Sequence, residues 1–181
     1  ELAEAEARTD ALTQLPNRRH LIEQARLALA RCERLQRPLT LAVIDLDHFK
    51  QLNDQHGHLA GDQALQEFGR HARAQLRQGD FLARLGGEEF VLLAEGSTLG
   101  AVQRAIQRWR DSWAALSSDR LRPGLPRCTF SAGLALRRTD DNFARLLARA
   151  DEAMYRAKQA GRNRTELELP GQPELRTSLW G

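Results

Sequence analysis

Acidic side chains that could hold a divalent cation occur at two points of the chain. Asp45 and Asp47 end an apolar run, and Glu88 and Glu89 lie between two further apolar runs. Because side chains alternate across a strand, Asp45 and Asp47 fall on one face and Leu46 on the other. Mg²⁺ prefers carboxylate and carbonyl oxygens together with substrate phosphates. An Asp-x-Asp alone is equally typical of a solvated strand end, so the combination with Glu88 predicts the phosphate-handling site.

The spacing of apolar residues predicts the elements that position these acids. Steps of three and four residues predict helices over residues 17–35, 58–76, 99–116 and 142–159. Alternating or short apolar runs predict strands over residues 39–47, 81–85, 90–93, 129–136 and 165–169, the last as an edge strand. Residues 86–89 form the turn of a hairpin that carries both acids, and 121–126 form a loop. The pattern predicts an α+β fold with helices on the faces of a sheet.

Composition limits the classes of protein to which the chain can belong. It has 181 residues, of which 41% are hydrophobic, which is enough for one domain. The net charge of +3 is spread along the chain and only 6% of residues are aromatic, which argues against a nucleic-acid polymer as partner. Cys32 and Cys128 form no metal-binding or disulfide pattern, and no apolar run approaches the ~18 residues of a membrane span. We expect a cytoplasmic domain without direct membrane contact.

The two ends of the chain differ from its middle. The chain begins with the helix-favouring sequence ELAEAEAR, so we expect residues 1–9 to be a helical linker from an upstream regulatory region. Residues 10–169 form the predicted catalytic domain. Beyond Pro170 the sequence lacks a periodic pattern, and we expect residues 170–181 to be a flexible tail.

A set of motifs in fixed order gives the chain a family resemblance. The motifs are Asp45-x-Asp47-x-Phe49-Lys50, Asn53, Gly57-His58-x-x-Gly61-Asp62, Gly86-Gly87-Glu88-Glu89-Phe90 and Lys158-x-x-Gly161-Arg162-Asn163. With them the chain resembles the GGDEF family of diguanylate cyclases, and residues 10–19 match the segment that usually opens the domain. The resemblance implies a mostly antiparallel five-stranded sheet of the palm or nucleotide-cyclase type with a ferredoxin-like core. It also implies condensation of two GTP into cyclic di-GMP with release of two pyrophosphates.

The resemblance assigns roles to the acidic residues. Asp45, the backbone carbonyl of Leu46 and Glu88 are the implied ligands of two Mg²⁺ ions, for which Mn²⁺ is an alternative, and these ions bridge the GTP phosphates. Glu89 either assists the metal site or helps to deprotonate the attacking 3′-hydroxyl. Asp45, Glu88 and Glu89 are therefore the implied catalytic residues, whereas Asp47 only shapes the strand end.

The remaining substrate contacts are also implied by the family pattern. Phe49 and its neighbours contribute backbone contacts to phosphate, and the side chains of Lys50, Lys158 and Arg162 lie beside the phosphates. Gly87 allows a tight turn and close approach to the nucleotide. A basic pair at a helix C-terminus is also favourable through the helix dipole, so Lys158 and Arg162 have an alternative structural role.

The implied base-reading residues are Asn53 and Asp62. A carboxylate accepts hydrogen bonds from N1-H and the 2-amino group of guanine, and adenine has neither donor. An unpaired carboxylate facing the wrong base gives strong discrimination, which predicts GTP as substrate. The alternative role for Asp62 is to cap backbone N-H groups at a helix start.

The family pattern also implies a dimer and a regulatory site. A product with two-fold symmetry requires two protomers that face each other, so a C2 homodimer is the expected partner arrangement. Arg77 and Asp80 match an allosteric product site, although Arg-x-x-Asp is also a common surface pair. The second arginine of that site comes from Arg104, Arg108 or a partner chain.

Two other functional classes compete with an active cyclase. A domain that senses cyclic di-GMP through Arg77 and Asp80 without synthesis would not need Glu88. A polymerase-like or adenylate-type cyclase on a similar palm would differ in its choice of base. One departure from the family pattern is Gln14, where the family usually has Gly; it concerns local loop geometry.

Overall fold

The computed structural model describes residues 7–116 and 127–170. Its helices are α1 (Arg18–Leu35), α2 (Phe49–His56), α3 (His58–Gln75), α4 (Leu99–Ala115) and α5 (Phe143–Gln159). Its strands are β1 (Leu39–Leu46), β2 (Asp80–Gly86), β3 (Glu89–Glu95), β4 (Phe130–Leu136) and β5 (Thr165–Leu167). The predicted loop 121–126, residues 1–6 of the predicted linker and residues 171–181 of the predicted tail lie outside the described residues. Residues 7–9 are not helical, and Thr9 forms an isolated bridge with Pro16.

The strands form one five-stranded sheet in the order β2-β3-β1-β4-β5. Strand β1 is central and pairs antiparallel with β3 on one side and β4 on the other. Strand β5 lies at the edge and pairs parallel with β4. The α+β fold with a mostly antiparallel sheet and flanking helices is therefore confirmed.

Helices cover both faces of this sheet, which is why every residue of β1 is buried. On one face, Leu39, Leu41 and Val43 belong to a core that includes the inner sides of α1 and α5. On the other face, Ala42 and Ile44 belong to a core that includes the inner sides of α3 and α4. The odd-numbered positions of β1 thus face α1 and α5, and Asp45 is the next position in that series.

Side-chain caps begin three of the helices. The side chains of Asn17, Thr98 and Asn142 accept hydrogen bonds from backbone N-H groups in the first turns of α1, α4 and α5. Such caps satisfy donors that the helix itself leaves unpaired. The predicted start of α1 after Asn17 and the predicted span of α5 are confirmed.

Two predictions of local structure need correction. Helix α2 was not predicted because its eight residues are too few to display a helical period; Gly57, with φ of 87°, separates it from α3. The hairpin turn is shorter than predicted, since Glu89 is the first residue of β3 and pairs with Asp45 of β1. Only Glu88 of the two acids therefore lies in the turn.

Gly133 fixes the approach of α5 to the sheet. A Cβ atom at this position would lie 2.1 Å from both the carbonyl oxygen of Ala150 and the backbone nitrogen of Met154. Both atoms belong to the backbone of α5 and cannot rotate away. The absence of a side chain at Gly133 therefore lets α5 lie directly against β4, as expected for glycine where backbones approach closely.

Candidate active site

The acids predicted to bind metal meet where the end of β1 adjoins the β2–β3 turn. The backbone N-H of Leu46 donates to the carbonyl of Glu88 at 3.2 Å. Asp45 is opposite Glu89 in the antiparallel ladder. These pairings bring Asp45, Leu46, Glu88 and Glu89 to one corner of the sheet.

Lys158 reaches this corner from the last turn of α5. Its Nζ donates to Oδ1 of Asp45 at 2.6 Å, and the side chain of Asp45 is only 5% exposed. A charge-assisted hydrogen bond of this kind is among the stronger ones in proteins. The structure therefore brings together an acidic group predicted to bind metal and a basic group predicted to bind phosphate.

Burial and neighbouring carboxylates raise the pKa of two acids at this corner. Burial raises the pKa of Asp45, and Glu88 and Asp47 raise it further, while the hydrogen bond and charge of Lys158 oppose the shift. Burial also raises the pKa of Glu89, with further contributions from Asp45, Asp151 and Glu88. The negative charges of these carboxylates therefore exceed the positive charge of Lys158, and a divalent cation would offset the difference.

This crowding predicts a pH effect on the stability of the metal-free protein. The pKa of Glu89 is raised on folding, so the folded state binds more protons than the unfolded state between the ordinary and the raised value. The free energy of unfolding should therefore fall as pH rises from about 4.3 through the raised pKa. Glu89→Gln should flatten this fall and add about 0.2–1 kcal/mol at neutral pH, because it removes a like charge directly opposite Asp45 and cross-strand pairs usually contribute energies of this size. Urea unfolding in EDTA at a series of pH values measures both effects. If the free energy of unfolding of Glu89→Gln changed with pH as steeply as that of the unsubstituted chain, the prediction would be wrong.

Asp47 has a structural role distinct from that of Asp45. Its carboxylate accepts hydrogen bonds from Thr129 Oγ1 at 2.7 Å, Ser131 Oγ at 2.6 Å and the backbone N-H of Asn163 at 3.0 Å. Asp47 is 2% exposed. It therefore ties the end of β1 to β4 and to the segment that follows α5.

The predicted phosphate contacts lie around the same corner. Helix α2 begins directly after β1, and no side chain caps its N-terminus. Phe49 is half-buried with its ring against the core, whereas Lys50 is exposed. Arg162 is exposed just past α5, in a left-handed conformation with φ of 64°. A helix N-terminus with free N-H groups and nearby cations suits an anion.

The predicted base-reading residues lie where α2 and α3 meet. Oδ1 of Asn53 is buried and has no hydrogen-bond partner among the described residues. A Cβ atom on Gly61 would lie 1.8 Å from that oxygen, so glycine is needed for the Asn53 side chain to occupy its place. Asp62 follows Gly61 and is half-buried. An unpaired buried polar atom requires an explanation, and a bound base would supply one.

Arg84 holds the acidic turn, a role that the sequence analysis missed. Its Nε and Nη2 donate to the carbonyl of Gly87 at 3.0 and 2.8 Å. Its Nη1 forms a salt bridge with Asp10 at 3.1 Å. Asp10 also accepts from the backbone N-H and hydroxyl of Thr13 at 2.8 and 2.7 Å. The segment that opens the domain is therefore connected through one side chain to the turn that carries Glu88; only the match of Asp10 to the family pattern hinted at this.

Gln14 lies in the same opening segment with φ of 59°. This left-handed conformation favours glycine, the usual family residue at this position. The side-chain Nε2 of Gln14 donates to the carbonyl of Ala11 at 2.8 Å. Gln14 therefore adopts the backbone geometry that glycine would adopt, with a local hydrogen bond that offsets part of the strain.

Arg77 lies in the turn that precedes β2, and Asp80 is the first residue of that strand. The carboxylate of Asp80 accepts from the backbone N-H of Arg77 at 2.9 Å, and the side chain of Arg77 is exposed. Burial raises the pKa of Asp80, and the hydrogen bond and charge of Arg77 oppose the shift. Both residues line a small cleft against α4, where Ala101 and Ala105 are among the facing residues.

The donor chemistry fits a divalent cation in an open site. Among the described residues, no three side chains of Asp, Glu, His or Cys converge as a metal cluster. The predicted set differs from such a cluster, because it has two carboxylates and one backbone carbonyl. Mg²⁺ is commonly held by one or two carboxylates with substrate phosphates completing its shell. Asp45, Leu46 and Glu88 provide this type of donor set.

The fold, the acidic turn and the basic side chains beside it are together those of a GGDEF-type domain. Residues 7–164 match the sequence profile of the family described as "Diguanylate cyclase, GGDEF domain". The chain therefore belongs to the GGDEF family of diguanylate cyclase domains.

Curated relatives carry the same family name. The chain is 44% identical to diguanylate cyclase DgcP of Pseudomonas aeruginosa over 161 residues, which is 89% of this chain and 24% of that protein. It is 39% identical to diguanylate cyclase DgcM of Escherichia coli over 170 residues, covering 91% of this chain and 39% of that protein. The chain thus spans less than half the length of these two relatives.

Solved structures share the fold. The GGDEF domain of DgcB from Caulobacter crescentus, in complex with c-di-GMP, superposes with a TM-score of 0.83 at 32% identity, covering 90% of this chain and 96% of that one. The active GGEEF domain of a diguanylate cyclase from Vibrio cholerae superposes with a TM-score of 0.80 at 32% identity, covering 87% and 100%. The palm-like architecture implied by the resemblance is confirmed.

In the described parts of the chain, no helix combines the length and the apolar character needed to cross a bilayer.

Proposed function

We propose that this domain condenses two GTP molecules into cyclic di-GMP, with release of two pyrophosphates, in a cytoplasmic setting. The observation that carries the proposal is the corner where Asp45, paired with Lys158, lies beside the backbone of Glu88. The carboxylates of this corner can hold divalent cations, and the ammonium group of Lys158 can contact phosphate oxygens. The corner therefore suits a triphosphate that binds together with metal ions. Membership of the GGDEF family supports the same reaction.

Asp45, the carbonyl of Leu46 and Glu88 would hold Mg²⁺ or Mn²⁺. When bound, such ions neutralise the triphosphate and make the α-phosphate a better electrophile. The protein fixes these donors through the β1–β3 ladder and the hydrogen bond of Leu46 to Glu88. Glu89, whose pKa is raised by burial and neighbouring acids, is suited to accept a proton from a 3′-hydroxyl.

The phosphates would extend from this corner toward the N-terminus of α2 and the end of α5. On one side, the uncapped N-H groups of α2 and the exposed side chain of Lys50 would contact phosphate oxygens. Lys158 and Arg162 contribute cations on the other side. On nucleotide binding, we expect Lys158 to exchange its bond to Asp45 for one to phosphate, which frees Asp45 for the cation.

Asn53 and Asp62 would read the guanine edge. Asp62→Ala should lower kcat/KM for GTP by about tenfold to a hundredfold, the effect of losing a hydrogen bond to a charged group. It should also narrow the preference for GTP over ATP, because the carboxylate that disfavours adenine is removed. Initial rates with each nucleotide measure both effects.

The matched control for that variant is Asp54→Ala, which removes an exposed acid of α2. Asp54 lies outside the predicted base contacts, so its removal should leave the ratio of GTP to ATP turnover unchanged. Equal ratios in Asp62→Ala and the unsubstituted chain would remove Asp62 from the base contacts; capping is not its alternative role, because α3 begins at His58 and no side chain among the described residues caps it.

Catalysis would require two chains. In each half-reaction a 3′-oxygen bonds to the α-phosphorus of the opposite GTP, the bond to the β-phosphate breaks, and pyrophosphate leaves. The hydroxyl proton passes to a base such as Glu89. Since one chain holds one GTP, the two sites must face each other across a two-fold axis. The rate should therefore rise faster than linearly with protein concentration while assembly is limiting.

Cyclic di-GMP would inhibit the enzyme through Arg77 and Asp80. We assign Arg108 as the second arginine, because it lies on the α4 stripe of Ala101 and Ala105, which face the cleft containing Arg77. The side chain of Arg104 extends along α4 toward Gly100, since its Nη1 lies 3.4 Å from a Cβ position there.

Product inhibition tests this assignment. Arg77→Ala and Arg108→Ala should each raise the inhibitory concentration of cyclic di-GMP by about tenfold or more, as expected for loss of a charged hydrogen bond. Arg104→Ala should leave it unchanged. A larger effect from Arg104→Ala than from Arg108→Ala would reverse the assignment.

A chromatographic assay of the purified domain with GTP and Mg²⁺ tests the proposed activity as a whole. Cyclic di-GMP and pyrophosphate should appear in a ratio of one to two. Binding of cyclic di-GMP without any synthesis would indicate a receptor, and turnover of ATP at a comparable rate would indicate an adenylate-type cyclase.

A further inference from the structure

A second polar cavity lies on the side of α4 that faces β4 and β5. Its volume is about 550 Å³, and α4, the start of β4 and the segment before β5 form its walls. Among the described residues that line it, none belongs to the predicted metal, phosphate or base contacts. Arg110, Arg127 and Arg164 contribute three guanidinium groups to its walls, and Asp111 contributes one carboxylate. The charge of this lining is therefore positive.

Arg110 is a buried cation that forms no salt bridge within the described parts of the chain. It is 7% exposed, and its guanidinium lies 4.6 Å from the ring centroid of Phe130. Its hydrogen bonds go to neutral acceptors, namely the side chain of Gln107 at 3.2 Å, the carbonyl of Phe130 at 3.4 Å and the hydroxyl of Thr165 at 3.0 Å. Burial lowers the pKa of Arg110, and Asp47 and Asp111 oppose the shift. A buried charge without a paired opposite charge is costly.

The carboxylates near the cavity form their hydrogen bonds with groups other than its arginines. Asp47 is committed to hydrogen bonds with Thr129, Ser131 and Asn163. Asp111 accepts a hydrogen bond from Gln107 at 2.9 Å. Within residues 7–116 and 127–170, no carboxylate forms a salt bridge with any of the three arginines of the cavity.

Two of the arginines that line the cavity also have a buried donor that lacks an acceptor among the described residues. The Nε atoms of Arg110 and Arg127 are buried and have no hydrogen-bond partner among the described residues. Buried donors are normally satisfied, so each exception indicates strain or an absent partner. Two of the arginines that line the cavity therefore retain unused hydrogen-bonding capacity, and a negatively charged acceptor in the cavity would offset their charge.

We propose that this cavity binds a phosphoryl group of a small molecule, with Arg110 as the buried anchor and Arg164 as the exposed contact at its mouth. Phosphate oxygens accept hydrogen bonds from guanidinium groups in favourable paired geometry. The volume exceeds that of a free phosphate ion and accommodates a nucleoside monophosphate. The site is separate from the proposed triphosphate site, and binding there does not require the cyclase reaction.

The test measures anion binding by the whole domain without divalent cations, at constant ionic strength adjusted with chloride. Inorganic phosphate, pyrophosphate and GMP are titrated separately by calorimetry and by NMR of the Arg110 Nε-H and Trp113 indole N-H signals. The variants are Arg110→Gln and Arg164→Gln, and Arg26→Gln on the exposed side of α1 is the matched control. Lys158→Met removes an anion contact at the proposed active site.

We expect at least one of the anions to shift the Arg110 and Trp113 signals. Its Kd should rise about tenfold in Arg110→Gln and in Arg164→Gln, as expected for a lost charge-assisted hydrogen bond, and stay unchanged in Arg26→Gln and Lys158→Met. Tighter binding of GMP would identify a nucleotide as the source of the phosphoryl group, and tighter binding of phosphate or pyrophosphate would identify a free inorganic anion. Equal affinity in Arg164→Gln, which retains the buried core, or loss of all binding in Lys158→Met would overturn the proposal.

Discussion

Replacing Glu88 with alanine is expected to lower cyclic di-GMP formation by about a thousandfold or more. Loss of a metal ligand removes several kcal/mol of charge stabilisation at the α-phosphate, and about 4 kcal/mol corresponds to that factor. The fold should persist, because the turn depends on the backbone carbonyl of Glu88 and on Arg84, not on the Glu88 side chain. Product chromatography measures turnover, and circular dichroism with thermal unfolding measures the fold.

Glu88→Gln removes the negative charge of Glu88 but keeps the size of its side chain. Glu152→Gln is the matched control. Glu152 is an exposed acid on α5, and the loss of its charge should leave turnover within about twofold of the original value. Turnover above a tenth of the original value in Glu88→Gln would remove Glu88 from the metal site. Such a result would leave Asp45 and Glu89 as the acids to consider.

Gly133→Ala is expected to have the largest effect on stability. The added Cβ would overlap two backbone atoms of α5, each 2.1 Å away, so the helix must move as a unit. Overpacking of a core typically costs 1–3 kcal/mol, and a rigid backbone obstacle should bring the cost to about 3 kcal/mol or more. Any protein that still folds should also lose turnover, because α5 carries Lys158. Urea unfolding and the GTP assay measure the two effects.

Gly69→Ala is the matched substitution with the opposite expected sign. Gly69 lies within α3, and a Cβ there would approach no closer than 3.4 Å to the Leu15 side chain. Alanine favours a helix over glycine by up to about 1 kcal/mol, so stability should rise. Similar destabilisation by both substitutions would show that the close approach of α5 to Gly133 is not the cause.

Sequence patterns were sufficient for elements with local signals. Asn17 and Asn142 identified the starts of α1 and α5 because a cap lies next to the helix that it begins. Apolar runs identified all the strands of the sheet, and the paired acids at strand ends located the corner where Asp45 and Glu88 meet. These signals operate within a few residues, so a single sequence contains them.

Features that depend on distant partners were not predictable in the same way. The role of Gly133 depends on its contact with Ala150, and the role of Arg84 depends on its salt bridge with Asp10. The residues next to Gly133 and Arg84 in the sequence do not indicate these contacts. The position of Glu89 in β3 depends on its pairing with Asp45 across the sheet. The buried state of Arg110 was also unexpected, since arginine in an amphipathic helix normally lies on the solvent side.

Because Arg84 is bonded both to the β2–β3 turn and to the opening segment, the hairpin that carries Glu88 and Glu89 depends on residues outside it. The Arg84 guanidinium joins the Gly87 carbonyl to Asp10, which lies 74 positions earlier in the chain. If residues 80–95 were transferred into another sheet, Glu88 and Glu89 would move with them. Asp10, whose carboxylate orients Arg84, would not. Recombination between homologous domains should therefore preserve the opening segment and the hairpin from the same parent.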